Sequence, residues 1–245
     1  MIVTRTNESP IVPPSSSSKK VKKQHSLCLV EMALTEYSSG SYLFTLSNFF
    51  DESECQTFIE WSETIGFERF DHASTRYTAE RHQERFSYQD DGVISSSIFS
   101  RVQATLPTSI DGLVPVGCSK NIRMYKYSEG DSFGKHVDES QVDKETGSTS
   151  KLTLLIYLND TESSNLLGGK TIFYKAHSSK EPLYSIEPKR GMLLLHGHGH
   201  RCLTHEGELV MKGFKYVLRT DVLYSPPTTT TAPAAKTKSI IRMKK

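Results

Sequence analysis

The sequence lacks several features that would each define a class of protein. It has no run approaching the ~18–20 apolar residues of a membrane-spanning helix, so an integral membrane protein is not expected. Its N-terminus has no apolar core of the kind a secretory signal needs. It contains no internal repeat and no Gly-x-Gly-x-x-Gly segment after a strand, which disfavours nucleotide-binding folds.

Cysteine is scarce and scattered. The four cysteines show no Cys-x-x-Cys spacing. This predicts free thiols in a reducing compartment rather than a disulfide framework or a zinc site. The residues are Cys28, Cys55, Cys118 and Cys202.

The chain is long enough for one globular domain with extensions: it has 245 residues, of which 36% are hydrophobic and 24% charged. Its charge is unevenly distributed. Residues 1–41 carry a net +2 and residues 225–245 a net +5, so subtracting both from the whole-chain +2 leaves −5 for residues 42–224. A domain of negative net charge is a poor nucleic-acid surface, and no nucleic-acid partner is expected.

The two ends differ from the middle in composition. Residues 1–41 are Ser/Pro-rich and basic, and residues 225–245 are Thr/Pro-rich and basic. Such segments are too polar to bury a core, which predicts two disordered tails around a domain at residues 42–224. Residues 19–23 are a candidate nuclear import signal, with a solvated tail as the alternative. The expected location is therefore cytoplasmic or nuclear.

Helices are predicted first and strands later. Asn48 or Asp51 caps a helix that runs to about residue 64 and stops at Gly66. A second helix spans residues 92–106 and ends at Pro107. The β-rich runs are residues 121–127, 152–158, 170–174, 192–196 and 212–224. This order predicts an α+β, mainly β protein with helices packed on a β-sandwich or barrel.

Two His-x-acid pairs are present, where chance alone predicts about one. His82 and Glu84 lie in a charge-dense segment that resembles a solvated surface, and on a helix they would point apart. His136 and Asp138 follow a glycine-containing turn into β-rich sequence. On a strand, residues i and i+2 share a face, so this imidazole and carboxylate converge on one point.

One imidazole and one carboxylate are two-thirds of the two-histidine, one-carboxylate triad. That triad suits Fe(II) because it leaves three adjacent positions open for a bidentate organic acid and for O2. The residues alone leave the third ligand open. The candidates are His177, His196, His198, His200 and His205. Residues 196–200 alternate His with Gly, which predicts a flexible loop.

Lys215 follows His205 at the start of a strong strand. A lysine buried there, beside a metal, would require a buried anion. A dicarboxylic cosubstrate that chelates iron at one end would supply that anion at its other end. The alternative is an exposed strand lysine, which is the commoner case.

Several segments combine into one pattern. Residues 127–138 contain Tyr-x-x-Gly-x-x-aromatic-x-x-His-x-Asp, residues 168–173 contain Gly-Gly-x-Thr-x-Phe, and residues 188–191 form Pro-x-x-Gly before an apolar strand. Distally, a Gly, a Val, a Gly and Lys215 follow His205. With the first helix upstream, these motifs resemble, in unbroken order over residues 42–224, the prolyl 4-hydroxylase-like branch of the 2-oxoglutarate/Fe(II)-dependent dioxygenases.

The resemblance implies a double-stranded β-helix (jelly-roll) core with N-terminal support helices. It implies Fe(II) bound by His136, Asp138 and His205, with ascorbate as the reductant. It also implies 2-oxoglutarate and O2 as cosubstrates, and hydroxylation of an unactivated C–H bond with release of succinate and CO2.

The resemblance further implies that Lys215 pairs with the distal carboxylate of 2-oxoglutarate, with the Tyr127 hydroxyl nearby and Thr171 lining the same pocket. Two departures matter. Phe133 stands where the family often has Tyr, so a hydroxyl contact is missing. Arg219 lies on the same strand face as Lys215 and is a second candidate for the anchor; its alternatives are a substrate contact or a buried salt bridge.

Substrate choice is the least readable property. Residues 141–150 and 160–167 are polar loops that are expected to select the substrate. A protein prolyl hydroxylase is the favoured subtype, and a hydroxylase of a small metabolite is the alternative. A non-catalytic jelly-roll binding module would not need both the triad and Lys215. A cupin-type enzyme would need an acid soon after His-x-His, and none follows His198 before Glu206.

Overall fold

The computed structural model describes residues 41–75 and 78–227. These residues form three α-helices: α1 Glu52–Ile65, α2 Val93–Val102 and α3 Thr161–Ser164. They also form fourteen strands: β1 Leu43–Leu46, β2 Glu68–His72, β3 Arg81–Gln89, β4 Val114–Cys118, β5 Asn121–Tyr127, β6 Ser132–His136, β7 Thr149–Tyr157, β8 Leu167–Gly168, β9 Thr171–Tyr174, β10 Tyr184–Ile186, β11 Leu193–Gly197, β12 Thr204–Gly207, β13 Val210–Lys212 and β14 Lys215–Ser225.

One antiparallel sheet contains twelve of these strands and curls into a half-barrel. Neighbouring strands follow the order β1, β11, β7, β14, β5, β3, β6, β12, β9, β10. Strand β3 connects the two parts of the sheet, because its residues 84–89 pair with β5 while Arg81 and His82 pair with β6. The predicted fold class, a mainly β jelly-roll core with N-terminal helices, is confirmed.

The central strand β14 lies between two apolar cores, because alternate side chains of a strand point to opposite faces. Leu218 packs in the core that includes Phe58 of α1. Val217 packs in the core on the opposite face. Lys215 and Arg219 share the face of Val217, so the same alternation directs both cations into the half-barrel.

Helix α1 begins at a capping box. The Asp51 side chain accepts a hydrogen bond from the backbone N–H of Glu54 at 2.9 Å, and the Glu54 carboxylate accepts one from the Asp51 N–H at 2.8 Å. The helix ends at Gly66, whose φ of +83° favours glycine. Of the two predicted caps, Asp51 is the one used.

Asp51→Ala should lower the free energy of unfolding by about 1 kcal/mol, because it removes one partner of the capping box. Glu60→Ala, at an exposed position in the middle of α1, is the matched control and should cost less than about 0.5 kcal/mol. Urea unfolding followed by circular dichroism measures both. Equal losses in the two variants would contradict the assignment of the cap.

Helix α2 is shorter than predicted. Its α-helical part stops at Val102 and continues as a 3-10 turn over Gln103–Thr105. Leu106 is extended, with φ −73° and ψ 150°. The α conformation is disfavoured immediately before a proline, so Pro107 ends the helix earlier than the predicted residue 106.

The predicted strands are present with shifted ends. The run at residues 121–127 coincides with β5, and the next three correspond to β7, β9 and β11. The run at residues 212–224 is divided, because Gly213 adopts φ +77° between β13 and β14.

The segment around His82 is a strand, β3, rather than a helix. On a strand the side chains of His82 and Glu84 point to the same face. The expectation that they point apart, as they would on a helix, is therefore wrong. The two ring nitrogens of His82 instead contact carboxylates of Asp71 and Glu80, at 3.0 and 2.9 Å. His82 thus belongs to a surface ion-pair cluster.

Cys55, Cys118 and Cys202 are free thiols, as predicted, and Cys28 lies outside the described residues. Within residues 41–75 and 78–227, no helix has the length and apolar character needed to cross a membrane. The structure continues to residue 227, and the predicted tails otherwise lie outside the described residues, as does the segment 19–23. The domain boundaries at residues 42 and 224 stay a prediction.

Candidate metal centre

A cavity of about 50 Å³ lies inside the half-barrel. The residues that the motifs assign to the metal or the cosubstrate, and the alternative anchor Arg219, all line it. These residues are Tyr127, His136, Asp138, Thr171, His205, Lys215 and Arg219. His196, one of the candidates for the third ligand, also lines it, as do Thr153 and Tyr157, which the sequence did not indicate.

Three potential metal ligands meet at one part of this cavity. His136 ends β6 and is the register partner of His205 on β12, while Asp138 follows β6 in a loop. The ring centroids of His136 and His205 are 4.2 Å apart, and His136 Nε2 is 3.8 Å from Asp138 Oδ1. One ligand atom from each of the three residues lies within 4.8 Å of the others. The antiparallel pairing of β6 with β12 therefore brings His136 and His205 together. Asp138 joins them from the loop after β6, so the prediction that it shares a strand face with His136 is wrong.

Hydrogen bonds orient both imidazoles. Nδ1 of His136 is 2.8 Å from the Gly134 carbonyl, and Nδ1 of His205 is 3.0 Å from the Leu203 carbonyl. Since a carbonyl only accepts, each Nδ1 carries the proton, and each neutral ring keeps a lone pair on Nε2. This is the tautomer that a metal ligand requires.

The protonation states also suit a metal. Burial and the neighbouring His205 lower the pKa of His136 to about 3, and burial lowers the pKa of His205. Burial alone would raise the pKa of Asp138, but Arg219 and the surrounding imidazoles hold it well below its usual range. At neutral pH the cluster thus presents two neutral imidazoles and one carboxylate, without first releasing protons.

Lys215 lies elsewhere in the same cavity and is 4% exposed. Its Nζ donates a hydrogen bond to the Gly169 carbonyl at 2.6 Å and lies 5.3 and 5.4 Å from the ring centroids of Tyr127 and Tyr157. No carboxylate of the described residues forms an ion pair with it. Burial lowers the pKa of Lys215 to about 8. It is a buried cation whose charge lacks a paired anion.

The Gly-Gly motif allows this approach of Lys215. Gly169 has φ +73°, and a Cβ there would lie 3.2 Å from Lys215 Cδ. Gly168 has φ +78°, and a Cβ there would lie 2.3 Å from the Leu209 carbonyl oxygen. Any side chain at either position would be strained, and at Gly169 it would also press on the lysine.

Tyr127 and Thr171 are both at the Lys215 end of the cavity. The Thr171 hydroxyl is 2.6 Å from the hydroxyl of Tyr157, a residue that the sequence analysis did not select. Tyr157 is fully buried at the end of β7, directly after the aliphatic residues 154–156. A tyrosine closing this aliphatic run was the available signal, since a buried hydroxyl needs a partner.

Phe133 stacks on the ring of His136, with centroids 3.7 Å apart and planes 17° apart. The Arg81 guanidinium lies over its other face, 3.6 Å from the centroid. The phenyl ring of Phe133 therefore supports the imidazole of His136, at the position where the family often has a tyrosine hydroxyl.

The terminal nitrogens of Arg219 face two carboxylates. Its Nη2 lies 2.9 Å from Asp138 Oδ2 and 3.5 Å from Asp221 Oδ1. Of the three roles left open by the sequence, these contacts correspond to the buried salt bridge.

The prediction of a loop at residues 196–200 is wrong for the first two residues, which lie on β11, while residues 198–200 follow the end of that strand. His196 lies on β11, and both His196 and His198 are buried. A Cβ at Gly197 would lie 2.5 Å from the Arg201 carbonyl oxygen, so the glycine permits a close chain approach. His196 Nε2 is 3.7 Å from Asp138 Oδ2 and has no hydrogen-bond partner, whereas His177 and His200 are exposed.

A second group of potential ligands shares His205. It consists of His196, Cys202 and His205, with the Cys202 Sγ 3.8 Å from His196 Nδ1 and 3.7 Å from His205 Nδ1. The sequence did not indicate it, because Cys202 was predicted to be a free thiol and the segment between His196 and Cys202 a loop. In this group His205 would use Nδ1, which already faces the Leu203 carbonyl.

Comparison with known proteins shows which family this part of the chain is similar to. Residues 122–220 match the model of the 2OG-Fe(II) oxygenase superfamily. No curated protein matches the sequence.

Solved prolyl hydroxylase structures have the same fold. The viral collagen prolyl hydroxylase of Paramecium Bursaria Chlorella virus-1, in complex with 2OG, gives a TM-score of 0.51 at 17% identity over 75% of this chain and 97% of that chain. A Trichoplax adhaerens prolyl hydroxylase, in complex with a hypoxia inducible factor peptide fragment, gives 0.51 at 18% over 74% and 83%. A Pseudomonas putida prolyl-4-hydroxylase gives 0.51 at 13% over 78% and 94%. Together with the family match, these findings confirm the predicted resemblance.

Proposed function

We propose that this chain, a 2-oxoglutarate- and Fe(II)-dependent dioxygenase, hydroxylates an unactivated C–H bond of a protein, with a prolyl residue as the favoured target. Succinate and CO2 are the expected co-products, and ascorbate is the reductant typical of prolyl hydroxylases. One observation carries the proposal: two imidazoles, a carboxylate and an unpaired buried lysine line the same cavity.

The donor set fits Fe(II). Two neutral imidazoles and one ionised carboxylate are the ligands of the facial triad. His136, Asp138 and His205 would hold the metal. When bound, Fe(II) with 2-oxoglutarate supplies the oxidising chemistry, in which one atom of O2 enters succinate, the other enters the product hydroxyl, and CO2 leaves. The side chains keep the ligands deprotonated and oriented.

Lys215 is the proposed anchor for the distal carboxylate of 2-oxoglutarate. A buried cation is costly without an anion, and among the described residues Lys215 forms no ion pair: its ammonium contacts a carbonyl oxygen and aromatic rings, and Glu208 acts on it only at longer range. Arg219, by contrast, already contacts Asp138 and Asp221. Tyr127 and Thr171 would border the bound acid at the Lys215 end.

The substrates named for two of the similar structures support a protein substrate for this chain. One is a collagen prolyl hydroxylase, and another contains a peptide. We propose that residues 141–150 and 160–167 select the substrate. Location in the cytoplasm or nucleus remains a proposal from the sequence.

The test uses the full chain with Fe(II), 2-oxoglutarate, ascorbate and air. Proline-containing peptides are compared with matched peptides in which alanine replaces each proline. The expected result is one oxygen atom added to the proline peptides, in equal amount to the succinate formed, and none added to the alanine peptides. Hydroxylation of small acids but of no peptide would favour the small-metabolite alternative. Absence of any 2-oxoglutarate turnover would contradict the proposal.

A further inference from the structure

The two carboxylate oxygens of Asp138 are in different environments. Oδ2 accepts a hydrogen bond from the Thr153 hydroxyl at 2.6 Å and contacts Arg219 Nη2 at 2.9 Å. Oδ1 has a longer contact of 3.4 Å to Arg219 Nη1 and faces His136 Nε2 at 3.8 Å. Oδ2 is therefore occupied by donors, and Oδ1 is the oxygen that remains for a metal.

Thr153 is itself held in a fixed direction. Its hydroxyl oxygen is 2.7 Å from His198 Nε2. The Thr153 hydroxyl has one proton, so in donating to Asp138 it accepts from His198 Nε2 and, at 3.2 Å, from Arg219 Nη2. With its proton on Nε2, His198 accepts at Nδ1 from the Ser150 hydroxyl, 3.3 Å away. Thr153 is 0% and His198 4% exposed, so water does not compete for these bonds.

Arg219 is held from its other side. Its Nη2 contacts Asp221 Oδ1 at 3.5 Å, and Asp221 also pairs with Arg123. Two guanidinium groups and two carboxylates make this cluster neutral by itself. The charge of Arg219 is thus balanced without a cosubstrate, and its planar head can fix the rotation of the Asp138 carboxylate.

We infer that Thr153 and Arg219 are positioning residues that restrict Asp138 to one metal-binding oxygen, Oδ1. This rests on the proposed iron ligands. A carboxylate bound through both oxygens would take one of the three positions that the triad leaves open, and those three are needed for a bidentate acid and O2. The donors on Oδ2 prevent that competition.

The test is Co(II) binding to the full chain, followed by titration of the Co(II)-loaded protein with 2-oxoglutarate, both by calorimetry. Thr153→Val removes the hydroxyl and keeps the shape. It should raise the 2-oxoglutarate dissociation constant about tenfold and leave Co(II) affinity equal or higher, because the released Oδ2 can then bind the metal. Arg219→Lys keeps the charge but loses the planar head. It too should raise the 2-oxoglutarate dissociation constant without weakening Co(II) binding.

Thr220→Val is the matched control. Thr220 is also 0% exposed, and its hydroxyl donates to the Ser119 carbonyl, away from Asp138. This variant should keep both affinities within about twofold while its thermal unfolding midpoint falls as much as that of Thr153→Val. Infrared spectra give a second measure, since the splitting of the metal-bound carboxylate bands should narrow only in Thr153→Val.

The other possible results distinguish failure of this inference from failure of the proposed ligand set. If Thr153→Val and Thr220→Val bound 2-oxoglutarate with equal affinity, the inference would be overturned. It would also be overturned if Thr153→Val bound Co(II) more weakly than the native chain while the Co(II)-loaded variant kept native affinity for 2-oxoglutarate. Failure of the native chain to bind Co(II) would instead overturn the proposed ligand set, on which the inference depends.

Discussion

Alanine at His136, Asp138 or His205 should abolish succinate formation and lower Fe(II) occupancy in each case. Each substitution removes one of three candidate ligands that lie within 4.8 Å of one another. The loss of metal affinity should exceed the roughly 10- to 100-fold that removal of an outer-shell partner costs. Fe(II) content after dialysis and succinate formation with a peptide substrate measure the two effects separately.

His177→Ala is the control for these variants, because His177 is exposed and does not line the cavity. It should keep native iron content and turnover. His198→Ala is unsuitable as a control, since His198 bonds to Thr153. If His136→Ala retained its metal while His196→Ala or Cys202→Ala lost it, the metal would be held by the second group of ligands, and the proposed triad would be wrong.

The sequence predicted this site where neighbours along the chain determine its geometry. His136 ends β6 and Asp138 follows it two residues later in a loop, so their closeness along the chain brings them together although they do not share a strand. The motifs around His136 and His205 also resembled a known pattern. Helix α1 was predictable for the same reason, because Asp51, Glu54 and Gly66 are local signals.

The buried network around Asp138 could not be predicted in this way. Thr153 contacts Asp221 through strand pairing across 68 residues of chain, and Arg219 reaches Asp138 across 81. A single threonine or arginine in a strand carries no signal of such a partner. His196 was misassigned because alternating glycines suggest flexibility, whereas Gly197 here permits close packing against Arg201.

Lys215→Met should weaken 2-oxoglutarate binding by about 30- to 1000-fold, or ~2–4 kcal/mol, the usual effect of breaking a desolvated charge pair. Methionine keeps an unbranched stem in the apolar surroundings and deletes the charge. Fe(II) affinity should change little, because Lys215 contacts none of the candidate ligands. The measurement is an anaerobic titration with Fe(II) present, followed by the visible metal-to-ligand charge-transfer band.

Lys126→Met is the matched control. Lys126 lies on β5, pairs with Glu63 and contacts aromatic rings outside the cavity. It should keep native 2-oxoglutarate affinity. Lys215→Arg should be intermediate, because it retains the charge on a longer, planar head.

The pH dependence of 2-oxoglutarate binding tests whether the charge of Lys215, rather than the shape of its side chain, binds the cosubstrate. Burial lowers the pKa of Lys215 to about 8, so in the free protein the ammonium is present below that pH and lost as the pH rises through it. Binding of an anion needs the ammonium, and the apparent dissociation constant for 2-oxoglutarate should therefore rise about tenfold between pH 7 and pH 9 in the native chain. Lys215→Met has no proton to lose at this position and should show no such rise. A native profile that is flat over this range, or a methionine variant with native affinity at pH 7, would place the anchor elsewhere in the cavity.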